Sequence, residues 1–137
     1  MVLVDTPVWS LALRRRTIDL STAEQDLTQG LYQLVQQHRV SLLGSTRQEI
    51  LSGIREESQF RRIRDYLRDF PNINLEVADY EEAARINNHC RRAGIAGSPV
   101  DMLICSVSVR RNWEILTTDQ DFMHYKRVIQ IRLLDLS

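Results

Sequence analysis

The chain has 137 residues, 43% apolar and 26% charged, and its 18 basic and 18 acidic residues balance to a formal net charge of zero. That is the make-up of one globular domain with its own core. It excludes a low-complexity chain, and no apolar run nears the roughly 20 residues that cross a bilayer. Zero net charge gives no whole-protein attraction for nucleic acid.

The first apolar run, Val2-Leu3-Val4, predicts a strand buried on both faces, closed by Asp5. Thr6 and Pro7 read as N-cap and first residue of a helix that carries Val8, Trp9, Leu11 and Leu13 and ends at Arg14-Arg15-Arg16. Ser21-x-x-Glu24 is a capping box, and Leu27, Leu31, Leu34 and Val35 keep helical spacing behind it. Arg39 to Leu43 predicts a second strand. Thr46-x-x-Glu49 opens a third helix in which Gly53 would permit close approach of another backbone. Phe60, Ile63, Leu67 and Phe70 form the core stripe of a fourth, stopped by Pro71 and Asn72.

Ile73 to Ala78 alternates apolar and polar and predicts a third strand, after which Asp79-x-x-Glu82 caps a fifth helix that ends near Gly94. Ser98 and Pro99 start a sixth helix so apolar, through Met102, Leu103, Ile104, Cys105, Val107 and Val109, that it must be buried. Asp101 lies in its first turn, at the positive end of the helix dipole. Glu114 to Thr117 is a fourth strand, a short helix follows around Phe122 and Tyr125, and Val128 to Leu136 is a fifth strand. Strands alternating with helices imply an α/β sandwich, a parallel sheet with helices on both faces. Residues 1–137 read as a single domain.

In such a sheet the functional crevice lies beyond the carboxyl ends of the strands. Asp5, Glu49, Asp101 and Asp119 all fall there. Capping or turn formation explains each of them singly; four carboxylates at one edge repel one another unless some are protonated or a cation neutralises them. An all-oxygen cluster suits Mg²⁺ or Mn²⁺. Asp119 or Asp121 would cap the helix at Phe122.

Other chemistries lack their residues. His38, His89 and His124 show no metal-ligand spacing, and there is no GxSxG, phosphate-cradling glycine loop or dinucleotide fingerprint. Cys90 and Cys105 fall on apolar helix faces and read as reduced core thiols. The N-terminus has no signal-peptide pattern, so the expected location is the cytoplasm. Lys126 is the single lysine; an arginine bias suits phosphate recognition and equally a genome rich in G+C. Arg61, Arg64 and Arg68 on helix four, with Arg14 to Arg16, are candidate RNA-backbone contacts or a solvated face in which Arg61 pairs with Asp65.

Taken together, Val2-Leu3-Val4-Asp5-Thr6, Glu49-Ile50-Leu51-Ser52-Gly53, Pro99-Val100-Asp101-Met102-Leu103-Ile104 and Leu116-Thr117-Thr118-Asp119-Gln120-Asp121-Phe122 resemble the PIN-domain ribonucleases, most of all the toxin half of VapBC-type toxin–antitoxin pairs. The resemblance implies a three-layer α/β/α sandwich on a five-stranded parallel sheet. It also implies a magnesium-dependent endoribonuclease in which Asp5, Asp101 and Asp119 hold the metal while Glu49 completes the cluster and positions or deprotonates the attacking water. Thr6 matches the hydroxyl residue beside the first acid, Pro7 stands where serine is more usual, and Asp121 is an outer candidate. Expected partners are RNA, a second copy of the chain in a homodimer, and an antitoxin, for which Tyr32, Leu31 and the helix-four surface offer a groove. Rival readings are a PIN-like module that binds without cutting, and a metal-dependent nuclease acting on DNA.

Overall fold

The computed structural model of the chain describes residues 1–136. Four parallel strands, β1 (Val2–Val4), β2 (Val40–Ser41), β3 (Glu114–Leu116) and β4 (Arg132–Leu133), lie in the order β2-β1-β3-β4. Seven helices connect and cover them among the described residues: α1 (Thr6–Arg14), α2 (Thr22–Gln36), α3 (Gly44–Leu51), α4 (Glu57–Leu67), α5 (Val77–Arg92), α6 (Pro99–Arg111) and α7 (Asp121–Lys126).

Three residues of β1 serve both layers because strand side chains alternate between faces. Val2 and Val4 enter one core with Trp9, Leu31, Ile50 and Ile63 of α1 to α4. Leu3 enters the other with Ile86 of α5, Ile104 and Cys105 of α6 and Phe122 of α7. Both cysteines are buried and unpaired.

Caps set several helix starts as expected. Ser21 and Glu24 exchange their hydrogen bonds at 3.1 and 2.9 Å, and Ser98 Oγ accepts from the Asp101 amide at 3.1 Å, with Pro99 as first helical residue. Elsewhere the boundaries move. Helix α1 begins one residue early, with Asp5 itself as the N-cap. Helix α3 begins at Gly44, so Thr46 is a buried interior residue and no Thr46–Glu49 capping box forms. Gly53 has nothing near its missing side chain; its role is the left-handed φ of +88° that ends the α3 segment, as Gly94 at +78° ends α5.

The sheet has four strands rather than five. The segment 73–78 reaches β2 only at its start, through a single bridge from Asn72 to Leu42 and a 3.0 Å bond from the Ile73 amide to the Leu42 carbonyl. It cannot continue as a strand because α5 begins at Val77, three residues before the sequence pattern suggests. Asp79 is not the cap but lies inside the first turn, where its carboxylate accepts from the Glu76 amide at 2.8 Å. The last strand is likewise short: Val128 and Ile129 bond back to the Tyr125 carbonyl and finish α7, leaving Arg132–Leu133 to pair with β3.

Asp79 is fully buried and draws in two arginines from the end of α6. Arg110 Nη1 lies 2.6 Å and Arg111 Nη1 3.0 Å from Oδ1, with Arg111 Nη2 3.1 Å from Oδ2. Burial works to raise this carboxyl, but Arg111, the Glu76 amide and Arg110 outweigh it and hold it at about 2, against 3.8 in an unperturbed aspartate. Between those two values the folded chain binds fewer protons than the unfolded one, so the contribution of Asp79 is complete above pH 4 and is lost as the pH falls toward 2. Asp79→Asn, which leaves two guanidinium groups without their charge partner, is expected to lower stability by about 3 kcal/mol at pH 7, and the gap from wild type in urea denaturation should narrow between pH 4 and pH 2.

Candidate functional site

The chain leaves β1 toward β2 on one side and later returns to place β3 on the other, so the strand order reverses between β1 and β3. Open α/β sheets form a crevice at such a point, beyond the carboxyl ends of the strands. One backbone bond closes it at its base: the Asp5 amide donates to the Leu116 carbonyl at 2.9 Å.

Asp5 is 6% exposed at the floor. Its Oδ1 accepts the Thr6 amide at 2.9 Å, and its Oδ2 accepts the Thr117 hydroxyl at 2.8 Å. The same Thr117 oxygen accepts the Asp119 amide at 3.0 Å, so one hydroxyl ties the acid after β1 to the acid after β3. Asp119 Oδ1 accepts the Asp121 amide at 2.9 Å and thereby starts α7; of these two acids, Asp119 makes the capping contact. Asp101, in the first turn of α6, accepts the hydroxyl of Tyr125 on its Oδ2 at 2.7 Å. Asp101, Asp119 and Asp121 bring carboxylate oxygens within 4.8 Å of one another.

The charges meet at Asp101. Burial, first, and then the charges of Asp119 and Asp121 push its carboxyl up, against the bonds from Tyr125 and Ser98. Asp5 rises to about 6, chiefly through burial, with Asp101 and Glu49 adding repulsion and the Thr117 and Thr6 bonds opposing it. Glu49, on α3 at the solvent-facing rim, is raised by desolvation and then by Asp101, while the Thr6 hydroxyl works the other way. Tyr125 is pushed well above the usual phenol range by burial and by its bond to Asp101, so it stays a proton donor. Thr6 Oγ1 is buried and makes no hydrogen bond of ordinary geometry.

Such a site has the chemistry of a cation pocket. Its donors are carboxylate oxygens only, which suits a hard divalent ion. Asp101, Asp119 and Asp121, with carboxylate oxygens within 4.8 Å of one another, are the residues that could hold such an ion. The buried Thr6 hydroxyl, which faces the Glu49 carboxylate, adds a further polar atom to the site.

The sequence profile of the PIN domain matches residues 2–128. The chain belongs to the PIN-domain family. Its members are typically nucleases that use divalent metals. The fold is similar to that of the FitAcB complex from Neisseria gonorrhoeae, with a TM-score of 0.76 at 16% identity over 99% of this chain and 98% of that one. It is also similar to VapBC2 from Rickettsia felis bound to a DNA fragment from their promoter, at 0.75, 14% identity and 98% of both chains. DNA-bound VapBC from Salmonella typhimurium gives 0.73 at 13% identity over 99% of this chain and 98% of that one. No curated protein sequence matches the chain.

This PIN domain thus brings Asp5, Glu49, Asp101 and Asp119 to one crevice, with the exposed Asp121 grouped beside Asp101 and Asp119. Two side chains at the site escaped sequence reading. Thr117 and Tyr125 act across 112 and 24 residues of chain, and neither carries a local signal beyond its place next to a strand or on an apolar helix face. Other expectations change. Leu31 is fully buried and offers no partner surface, and Tyr32 donates to the Ala12 carbonyl at 2.9 Å. Asp65 pairs with Arg64 at 3.0 Å and Arg68 at 3.7 Å rather than with Arg61. Thr117→Val keeps the shape but removes a donor to a buried charged group and an acceptor of the Asp119 amide; a loss of about 2 kcal/mol in urea denaturation at pH 7.5 is expected.

Proposed function

We propose that this PIN domain is a divalent-metal-dependent endoribonuclease, the toxin half of a toxin–antitoxin pair acting in the cytoplasm. The observation that carries the reading is the convergence of Asp5, Glu49, Asp119 and Asp121 on Asp101 at the β1/β3 crevice. A bound divalent cation would relieve the repulsion that this arrangement places on the fold. The likeness of the fold to VapBC and FitAcB structures supports the assignment of a protein partner, the antitoxin; a homodimer is part of the same proposal and rests on the family resemblance alone.

Asp101, Asp119 and Asp121 would hold the metal, Mg²⁺ or Mn²⁺, with Asp5 beside Asp101. Its chemistry there would be to polarise the phosphoryl oxygen and to acidify the attacking water. Glu49 accepts the proton of the attacking water, a task that its raised affinity for a proton favours. Tyr125 fixes the plane of the Asp101 carboxylate, and Thr117 fixes Asp5 against the Asp119 turn. Arg14 and Arg61, which are exposed and outside the ion pairs, contact the RNA backbone, whereas Arg64 and Arg68 share Asp65.

Inducing the chain in a bacterium without its partner, with mapping of new RNA 5′ ends, tests the assignment. Wild type is expected to arrest growth and create discrete ends. Asp5→Asn, which keeps the α1 cap, should do neither while remaining folded. Growth and an unchanged end map with folded wild type would favour a binding module.

Tyr125→Phe should leave the fold intact, because the ring keeps its edge-to-face contact with Phe122 at 5.2 Å. Its cleavage rate at limiting Mn²⁺ is expected to fall at least tenfold, the usual loss when a ligand's supporting hydrogen bond is removed, and to recover as Mn²⁺ is raised.

A further inference from the structure

Beside the acids, between α1 and α2, lies a cavity of about 540 Å³. Pro7, Leu11 and Leu27 form apolar walls, and Arg15, Glu24 and Thr118 stand among them as polar groups. Two of these residues are direct chain neighbours of site residues: Pro7 follows Thr6, and Thr118 precedes Asp119. The cavity therefore opens next to the place where the reading above puts a scissile phosphate. A second depression, lined by Ser10, Arg14, Arg15 and Gln59, shares Ser10 and Arg15 with it and carries it outward past exposed arginines.

We propose that this cavity takes one unpaired nucleobase adjacent to the cleaved phosphate and selects a keto base, guanine ahead of uracil. The proposal rests on the ribonuclease reading and adds to it the determinant of sequence preference. Its chemistry follows from the walls. Apolar side chains of a cavity in the 300–1,000 Å³ range bury flat rings, and a few fixed polar groups orient them. Single-stranded RNA is read through such splayed bases, by hydrogen bonds to their edges and by stacking on arginine planes. Glu24 and Arg15 both line the cavity, and the Glu24 carboxylate already accepts the Ser21 amide at 2.9 Å, which keeps it ionised.

An ionised carboxylate only accepts and a guanidinium only donates. Both line the cavity. Guanine presents two adjacent N–H donors, N1–H and the amino group, beside O6, so the carboxylate accepts from both while the guanidinium donates to O6. Uracil offers one N–H, between two carbonyls, and adenine and cytosine each offer one amino group beside a ring-nitrogen acceptor, so none of them fills the carboxylate as guanine does. Charge complementarity also favours RNA over an apolar peptide: Arg14 lines the outer depression, where the phosphates that follow the bound base would lie.

Two variants separate this site from the acids. Ala23 is an exposed wall residue, and Ala23→Trp fills the cavity. Glu24→Gln keeps the capping box with Ser21, since glutamine serves there as well, but turns a pure acceptor into a mixed donor and acceptor. The experiment measures binding of short single-stranded RNAs that differ at one central base, including an abasic one, to wild type and both variants in Ca²⁺. Cleavage-site base frequencies in Mn²⁺ are then recorded for the same proteins. Wild type should bind the guanine oligomer at least tenfold more tightly than the adenine or abasic ones. Ala23→Trp should erase that difference, and Glu24→Gln should reduce it and shift the base beside the cut, with Mn²⁺ affinity unchanged in both. Equal binding of all bases by wild type, or preferences untouched by both variants, overturns the proposal; untouched preferences are also the result expected if a peptide is the occupant. Base-selective binding that the variants abolish, without any cleavage, would retain the pocket and reject the nuclease.

Discussion

The bond from the Asp5 amide to the Leu116 carbonyl fixes the crevice on which everything else in this molecule depends. It joins β1 to β3 at the point where the strand order reverses, and it carries the two acids that follow those strands to the same edge. Once they are there, the chain has a difficulty of its own making. Asp5 is nearly inaccessible to water, Asp101 is half-buried, and each raises the other's cost of ionising. The hydrogen bonds around them, from Thr117, Thr6, Ser98 and Tyr125, offset part of that cost without removing it. What remains is an affinity for a positive ion built into the fold.

The rest of the structure makes that arrangement affordable. Helix α6 is buried and apolar on nearly every side, so it can present Asp101 from its first turn, where the dipole favours a carboxylate. The far end of the same helix is anchored through Arg110 and Arg111 to Asp79 on α5, and the Ser106 hydroxyl donates to the Asp79 carbonyl at 2.6 Å. Arg47 does similar work on the other layer, donating to Asn72 and to the Leu67 carbonyl at 2.8 Å and also to the Phe70 carbonyl, which holds α3, and Glu49 with it, against the end of α4. In both layers arginine–polar contacts immobilise helices that carry a site acid.

The sequence was legible where a signal is local. Val2-Leu3-Val4 could only be a doubly buried strand, Ser98-Pro99 announced the start of α6, and the four acids could be assigned to one edge from the alternation of elements alone. It misled where a tertiary contact decides between two local options. Residues 73–78 have the alternation of a strand, yet the Glu76 amide donates to the Asp79 carboxylate, α5 starts at Val77, and only the beginning of the segment reaches the sheet. Thr46-x-x-Glu49 has the form of a capping box, yet the chain is already helical from Gly44. Thr117 and Tyr125 were silent because a hydroxyl announces nothing until the fold brings an acid to it. The same holds for the arginines: Arg47, Arg110 and Arg111 are structural, Arg14 and Arg15 border the crevice, and nothing in the one-dimensional pattern separates the two groups.

If the crevice is a cation site that the fold holds at a cost, stability must respond to removing either the charge or its deficit of positive partners. The most direct measurement is the melting temperature of wild type and Asp101→Asn, each in a chelator and in Mn²⁺ at pH 7.5. Neutralising Asp101 should raise the melting temperature by several degrees in the chelator, where wild type carries unrelieved repulsion, and Mn²⁺ should stabilise wild type while leaving Asp101→Asn nearly unchanged. A wild type that is the more stable protein in the chelator and is indifferent to Mn²⁺ would contradict the account.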